Sequence, residues 1–328
     1  MLPKLYYKAR NRYQLHVGGW ASRHWGLLSR VLRYPLPRLA PYRRRRLEVA
    51  RVGGMGDILM CTPSLREVKR LNPACHITFC VGFPDVVRGL PFLDEVRPFE
   101  ARTPAALLLA CEASTPPGRH LARIFGDNLG VVVEDERPSC ATDPERLAWW
   151  QQRWQGAPRP VVVVNRFANT WTPNKDWPDA YWVKLIQMLC ESATVVDIGR
   201  PEPTRGQVNH PHYHDLRGQT TLADLTAVIA SADLHIGPSS GPLHIAAAFG
   251  IPAVALYGGF EHPVGTSYPG NIELFTQLPC SPCWLKTPCP YDRECLQRIT
   301  PETVLRAAHE LWSQGRMRAV AVSGVEGA

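Results

Sequence analysis

The sequence predicts an α/β protein made of two Rossmann-like domains that face a central cleft. Three observations carry this. Short apolar runs alternate with helical stretches through most of the 328 residues, the pattern of parallel sheets with crossover helices. The alternation restarts at Val161-Val162-Val163-Val164, which opens a second block. The length suits two domains of roughly 150 residues each.

The first block opens on a strand over Leu47–Val52. A small-residue turn follows, Gly53-Gly54-Met55-Gly56. Apolar or small positions at Ile58, Thr62, Leu65, Val68 and Leu71 then recur at helical spacing. His76–Val81 reads as the next strand, with weaker ones at Glu95–Phe99, Leu107–Ala110 and Val131–Val133. Asp143-Pro144-Glu145 starts a helix that carries Trp149, Trp150 and Trp154, which read as packing or hinge residues. In the second block, strands follow at Thr194–Ile198, Leu234–Ile236 and Ala253–Tyr257. Helices are expected over Asp179–Cys190, Leu222–Ser231 and Gly241–Phe249, the last closed by Gly250 and Pro252. Thr300-Pro301-Glu302 caps a final helix. The expected division is a basic extension over 1–46, an acceptor-side domain over 47–157, a nucleotide-sugar domain over 158–312 and a tail over 313–328.

Charge separates the extension from the rest. Residues 1–46 hold twelve Lys or Arg and no Asp or Glu, whereas the remainder is mildly acidic. Tyr6, Tyr7, Trp20, Trp25, Leu27 and Leu28 are interleaved with the basic residues, and Arg43-Arg44-Arg45-Arg46 ends the stretch. Basic residues beside Trp and Leu suit an amphipathic helix on an anionic membrane surface; packing on the enzyme body is the alternative. No base-reading module follows, so nucleic acid is not an expected partner. No apolar run reaches the ~18 residues of a transmembrane helix, and a secretory cleavage pattern is lacking. The expected location is cytoplasmic, peripheral on the inner face of the inner membrane. The ten cysteines are accordingly expected as thiols or metal ligands.

Three segments carry chemistry. In Arg51-Val-Gly-Gly-Met-Gly-Asp57, a strand runs through Gly53, Gly54 and Gly56 into a helix whose first turn bears Asp57. The helix dipole favours an ionised carboxylate there, as a general base requires; an ordinary capping Asp is the plainer reading. In Asn174-Lys175-Asp176-Trp177-Pro178, Lys175 precedes a helix and can be held toward a phosphate. In Gly237-Pro-Ser239-Ser240-Gly241-Pro-Leu-His244, hydroxyls and a glycine open a helix whose free N–H groups form an anion site. His244 lies four residues after Ser240, on the same helix face.

In this order and at this separation, the three segments resemble glycosyltransferase family 9, the ADP-heptose:lipopolysaccharide heptosyltransferases. The resemblance runs from about Leu47 to Leu311. It implies a GT-B fold and inverting transfer, usually of heptose from ADP-heptose, without a catalytic metal ion. The partners implied are a nucleotide-diphosphate sugar and a glycan or glycolipid acceptor. Carried over, Asp57 matches the catalytic base, and Gly53, Gly54 and Gly56 form the turn near the acceptor. Lys175 matches the donor-phosphate lysine. Ser240, Gly241 and His244 match the nucleotide-phosphate turn and helix. Where the family usually has Asp, this chain has Ser239, which keeps hydrogen bonding at the donor site and loses the charge. Other nucleotide sugars, transfer onto protein and a non-catalytic sugar-nucleotide-binding protein stay open, although a pure binder needs no base.

A fourth cluster, Cys280-Ser-Pro-Cys283 with Cys289 and Cys295, places four thiols within sixteen residues. Such thiols can make a tetrahedral iron or zinc site of structural kind, or stay a metal-free loop. A similar cluster holds iron in the autotransporter heptosyltransferase branch of the family. His210, His212 and His214 read as surface residues, and Glu134-Asp135-Glu136 as a solvated turn.

Overall fold

The computed structural model describes residues 41–100, 107–109, 118–168, 172–201 and 206–313. The expected extension therefore falls outside the described residues up to residue 40, as does the tail from residue 314. Pro41–Arg43 is a 3-10 turn and Arg46 already belongs to the first strand, so the end of the basic run is part of the body.

The first sheet comprises β1 (Arg46–Arg51), β2 (His76–Val81), β3 (Glu95–Pro98) and β4 (Leu107–Leu108), in the order β3-β2-β1-β4 and parallel throughout. Between β1 and β2 lie two helices, α1 (Met55–Leu59) and α2 (Thr62–Leu71), where the apolar spacing suggests one. The break has a chemical cause. Pro63 lacks an N–H for the helical ladder. The Thr62 and Ser64 hydroxyls instead donate to the Leu59 and Cys61 carbonyls, each at 2.7 Å.

Helix α3 (Leu121–Leu129) ends on Gly130 at φ +75°. The next residues, Val131–Val133, form no strand. Their burial alternates as in a strand, with Val132 exposed, but they lie on α3 itself, where Val131 N–H donates to Gly126 O at 3.0 Å. Helix α4 (Pro144–Arg153) follows, capped by Asp143 Oδ1, which accepts from Glu145 and Arg146 N–H.

The second sheet comprises β5 (Val161–Asn165), β6 (Thr194–Ile198), β7 (Tyr213–Asp215), β8 (Leu234–Pro238), β9 (Ala253–Gly258) and β10 (Ile272–Phe275), in the order β10-β9-β8-β5-β6-β7, again parallel. Helices α5 (Asp179–Cys190), α6 (Leu222–Ala230), α7 (Gly241–Ala248), α8 (Glu294–Gln297) and α9 (Pro301–Ser313) complete the block. Both faces are covered, which is why β5 reads as an unbroken valine run. Val161 and Val163 pack with Trp150, Trp154, Ile229 and Ile245 on one side. Val162 and Val164 pack with Trp177, Trp182 and Leu185 on the other. The edge strand β7 carries His214, half-buried and tilted over Trp154 at 5.3 Å between ring centres. His214 is thus packed on the body rather than free on the surface.

Helix–helix contacts join the halves. Helix α4 lies on α6, where Trp154 Nε1 donates to Ser231 Oγ at 3.1 Å and Arg146 pairs with Asp224. Helix α1 lies on α7, so close that a Cβ at either of two glycines would force a neighbouring side chain to shift, the rigid His244 ring in one case and the flexible tip of Met55 in the other. A Cβ on Gly56 would sit 2.4 Å from His244 Cδ2, and one on Gly241 would sit 2.5 Å from Met55 Cε. No described helix is long and apolar enough to cross a membrane. Gly56→Ala should destabilise the protein by about 1–3 kcal/mol in urea unfolding, the cost of forcing extra atoms into a packed contact. Gly54→Ala is the control: its Cβ would have only an ordinary 3.6 Å contact with Asp57 Oδ2, so its midpoint should barely move.

Candidate active site

The α1–α7 contact brings together the ends of β1 and β8, and with them two of the segments singled out in the sequence. Asp57 is the third residue of α1. Its Oδ1 accepts from Arg51 Nη2 at 2.6 Å, and its Oδ2 accepts from Gly54 N–H at 2.9 Å. Arg51 is held in turn. Its Nη1 donates to Leu109 O at 2.9 Å, and its guanidinium lies 5.0 Å from the Phe125 ring centre. Asp57 nevertheless keeps a third of its side chain accessible. Burial pushes its carboxyl up, but the Arg51 charge and hydrogen bond and the Gly54 N–H together hold it below the usual carboxylate range. It is ionised at neutral pH.

Across the contact, Ser240 is the N-cap of α7 in extended conformation, and its side chain caps nothing. Its Oγ accepts from Asn165 Nδ2 at 3.2 Å, and Asn165 Oδ1 lies 2.8 Å from His235 Nε2. The hydroxyl is thus positioned from below; of the first turn of α7, Pro242 has no N–H and Leu243 N–H donates to Ser240 O at 3.1 Å, which leaves Gly241 N–H as the donor an anion could meet. Ser239 is buried. Its Oγ lies 3.3 Å from Thr266 Oγ1, which lies 3.2 Å from Tyr257 Oη. That chain of neutral hydroxyls occupies the place where the resemblance leads one to expect a carboxylate. His244 is also buried. Its Nδ1 meets Tyr268 Oη at 2.6 Å, while the ring edge faces Gly56. Burial and the neighbouring His120 push its basicity down to about 3, so it is a neutral ring within the joint between the two halves.

Lys175 ends a 3-10 turn, Pro173–Lys175, and reaches the same place. Its Nζ donates to Ser239 O at 3.2 Å and to Glu261 Oε1 at 2.5 Å, and lies 5.1 Å from the Phe260 ring centre. Both members of the ion pair are largely buried. Glu261 has no counterpart in the sequence reading: it lies 86 residues from Lys175, and only the fold pairs them. Arg51 was within reach. An Arg ending the strand and an Asp opening the next helix share one edge of a βα turn.

The cysteine loop lies beside the turn that carries Lys175. Among the described residues no three His, Cys, Asp or Glu side chains form a group able to hold a metal ion. Cys280 is exposed. Cys283 N–H is tied to Gly259 O at 3.0 Å, and Cys289 N–H to Asn174 Oδ1 at 3.1 Å. Cys295 packs against Gly258 and Gly259, where burial, assisted by Cys283 and Cys289, pushes its thiol up. Backbone anchors order the loop. The anchors also serve Lys175: Asn174 Nδ2 donates to Leu285 O and Thr287 O at 2.7 and 2.8 Å, and Arg293 Nη1 donates to Asp176 O at 2.9 Å.

With this geometry in place, comparison with known proteins gives the family. The sequence model of glycosyltransferase family 9 (heptosyltransferase) matches residues 119–292, more than half of the chain. The chain belongs to glycosyltransferase family 9. Lipopolysaccharide heptosyltransferase 1 of Pseudomonas aeruginosa is 28% identical over 206 residues, 56% of this chain and 55% of that relative. The chain thus spans about half the length of this curated relative. Two solved structures share the fold. A family 9 glycosyltransferase from Veillonella parvula superimposes with a TM-score of 0.67 at 19% identity, covering 84% of this chain and 99% of that one. The ADP-heptose lipopolysaccharide heptosyltransferase II of E. coli gives 0.62 at 17% identity, covering 82% and 99%. The two parallel sheets are therefore the two Rossmann-like halves of a GT-B fold.

The Arg51 contact makes a testable demand on Asp57. With Arg51 opposing burial, the depressed carboxyl adds stability above its unfolded value near 3.8, and that contribution fades as pH falls through the folded value. Replacing Arg51 with Met leaves burial unopposed by its main partner, so the Asp57 titration midpoint should rise. Carbon-13 NMR titration of the Asp57 carboxyl reads this directly. An identical midpoint in both proteins would show that the ion pair does not set its ionisation.

Proposed function

We propose that this chain is an inverting glycosyltransferase that moves heptose from ADP-heptose onto a lipopolysaccharide core or related cell-surface glycan. The observation that carries the reading is the placement of an ionised, accessible carboxylate, Asp57, across the α1–α7 contact from a helix N-terminus open to an anion. Lys175 lies beside that terminus. The chemistry suits a displacement. The donor diphosphate lies against the Gly241 end of α7, near Ser240 and Lys175. An acceptor hydroxyl enters from the first-sheet side, over the Gly53–Gly56 turn. As its oxygen bonds to the anomeric carbon, the proton passes to an Asp57 carboxylate oxygen. The bond from that carbon to the β-phosphate oxygen breaks on the opposite face, and its electron pair leaves with the nucleotide. Lys175 and Gly241 N–H, with the helix dipole behind it, meet that growing charge. The step draws only on side chains and backbone of this chain.

In this reading residues 47–157 serve the acceptor and 158–312 the donor. The family membership and the heptosyltransferases among the relatives support heptose as the sugar. The basic stretch over 1–46 supports attachment to an anionic membrane surface, at roughly 1 kcal/mol per basic residue close to it. That surface fits an acceptor anchored in the inner membrane, reached from the cytoplasm.

Two substitutions should differ in kind. Asp57→Asn keeps the shape and can still accept from Gly54 N–H, but it cannot take the proton. Turnover should fall roughly 10²-fold or more with donor affinity little changed. Lys175→Ala removes a cation that acts before and during the reaction, so donor affinity should drop roughly 10- to 100-fold, with turnover falling too. Near-normal turnover of ADP-heptose by a folded Asp57→Asn protein would overturn the assignment of the base.

A further inference from the structure

Parallel sheets are ordinarily covered on both faces. The second sheet is: separate apolar clusters back β5 from either side. The first sheet has such a cluster on one face. Leu47, Val49, Ile77 and Phe79 pack there with Leu65 and Val68 of α2 and Phe125 of α3. The alternate residues, Glu48 and Ala50 on β1 and Thr78 and Cys80 on β2, face the other way, in register with Glu95 and Arg97 of β3 and Leu108 of β4. In a doubly wound sheet the layer on that side comes from the crossover that returns past the first strand. Here the crossover from β3 to β4 is residues 99–106, short of the dozen or so that a helical crossover takes.

This face is unfinished as a surface. Ala50 and Cys80 are 2% and 1% accessible, yet they join none of the buried apolar clusters of the described residues. Leu108 beside them leaves 48% of its surface open. Glu48 is half-buried and makes no ion pair among the described residues. Its Oε1 lies 3.7 Å from Cys80 Sγ, and burial together with that carboxylate pushes the thiol up to about 11. The extension before the body, outside the described residues up to residue 40, has the complementary chemistry. It is rich in Lys and Arg and free of Asp and Glu, and Ala21, Trp25, Leu28 and Leu32 recur at the spacing of one helix face, with Arg23 and Arg30 opposite. As a helix, residues 21–33 would measure roughly 20 Å, the length of a six-residue strand such as β1. Residues 34–40 can reach up to ~25 Å from Pro41, enough to bring that helix round the edge of the sheet.

We propose that residues 21–33 supply the absent layer of the first sheet. Their apolar stripe lies over Ala50, Cys80 and Leu108, a basic residue of the extension meets Glu48, and Arg23 and Arg30 stay outward for the anionic membrane surface. The membrane contact rests on the functional reading above; the contact with the sheet stands without it. The extension is then part of the acceptor-side domain rather than a free tether.

The test uses the full chain and reads its own thiols. Timed alkylation with iodoacetamide, followed by mass spectrometry of each cysteine, compares Cys80 with Cys61 and Cys190, which are buried elsewhere in the body. In the Trp25→Ser/Leu28→Ser protein, Cys80 should react roughly 10-fold faster, the effect of withdrawing large apolar contacts from its cover, while the two reference thiols keep their rates. An unchanged Cys80 rate overturns the proposal. A photoreactive phenylalanine analogue at Leu108 of the otherwise unaltered chain gives a second readout, which decides the matter if all three thiols speed up together. It should cross-link within one chain to residues 21–33. Cross-links that reach only a second copy, or that miss residues 21–33, overturn the proposal. Phosphatidylglycerol vesicles should leave Cys80 protected; a thiol that opens when vesicles bind would show the extension leaving the sheet for the lipid, and overturns it as well. Neither readout uses turnover, so lack of ADP-heptose transfer would count against the functional reading alone.

Discussion

The arrangement depends on how closely α1 and α7 approach. Each helix springs from the end of a strand in a different sheet, and each presents a glycine to the other. Gly56 leaves room for the His244 ring, and Gly241 leaves room for Met55. A side chain at Gly56 would meet the rigid His244 ring and force the contact to shift, since packed interiors do not deform freely. The contact therefore fixes where the carboxylate of one half stands relative to the anion-receptive turn of the other. His244, Tyr268 and His120 extend the same joint as neutral or uncharged groups. Their neutrality fits a dry contact, where an unpaired charge would be costly.

Two further devices set the charges. On the first-sheet side, Arg51 reaches back from the end of β1 and keeps Asp57 ionised despite its surroundings. On the second-sheet side, Glu261 balances Lys175, and the cysteine-bearing loop clamps the turn that carries it through Asn174 and Arg293. Ser239 joins a hydroxyl chain with Thr266 and Tyr257 and leaves the carboxylate beside Lys175 to Glu261. Charge absent at one position is thus present nearby from a different strand end.

Much of the fold was legible because it is locally encoded. The Val161 run, the helix over Asp179–Cys190 and the Gly250-Pro252 stop each show their structure within a few residues. Other features were hidden because they are settled by distant packing. Strands β7 and β10 lie at sheet edges, short and only half-buried, so neither has the apolar run of a central strand. Val131–Val133 has the alternation of a strand, yet without a neighbour to pair with it lies on α3. Pro63 splits a helix whose apolar spacing is continuous. Within the site, Asp57, Lys175 and the Ser240 turn stood out as motifs, whereas Glu261, Tyr268 and His120 gain meaning only once the two sheets meet. The four cysteines stood out by their spacing, whereas the backbone anchors of their loop at Gly259 and Asn174 did not.

The central claim is that the donor sits on the α7 terminus facing Asp57. The most direct measurement is a crystal structure of the protein bound to an ADP-sugar carrying a non-reactive sugar. The account predicts the diphosphate within hydrogen-bonding distance of Gly241 N–H and Lys175 Nζ, with the anomeric carbon between the β-phosphate and Asp57. A nucleotide seated on the first sheet, or a sugar turned away from Asp57, would contradict it.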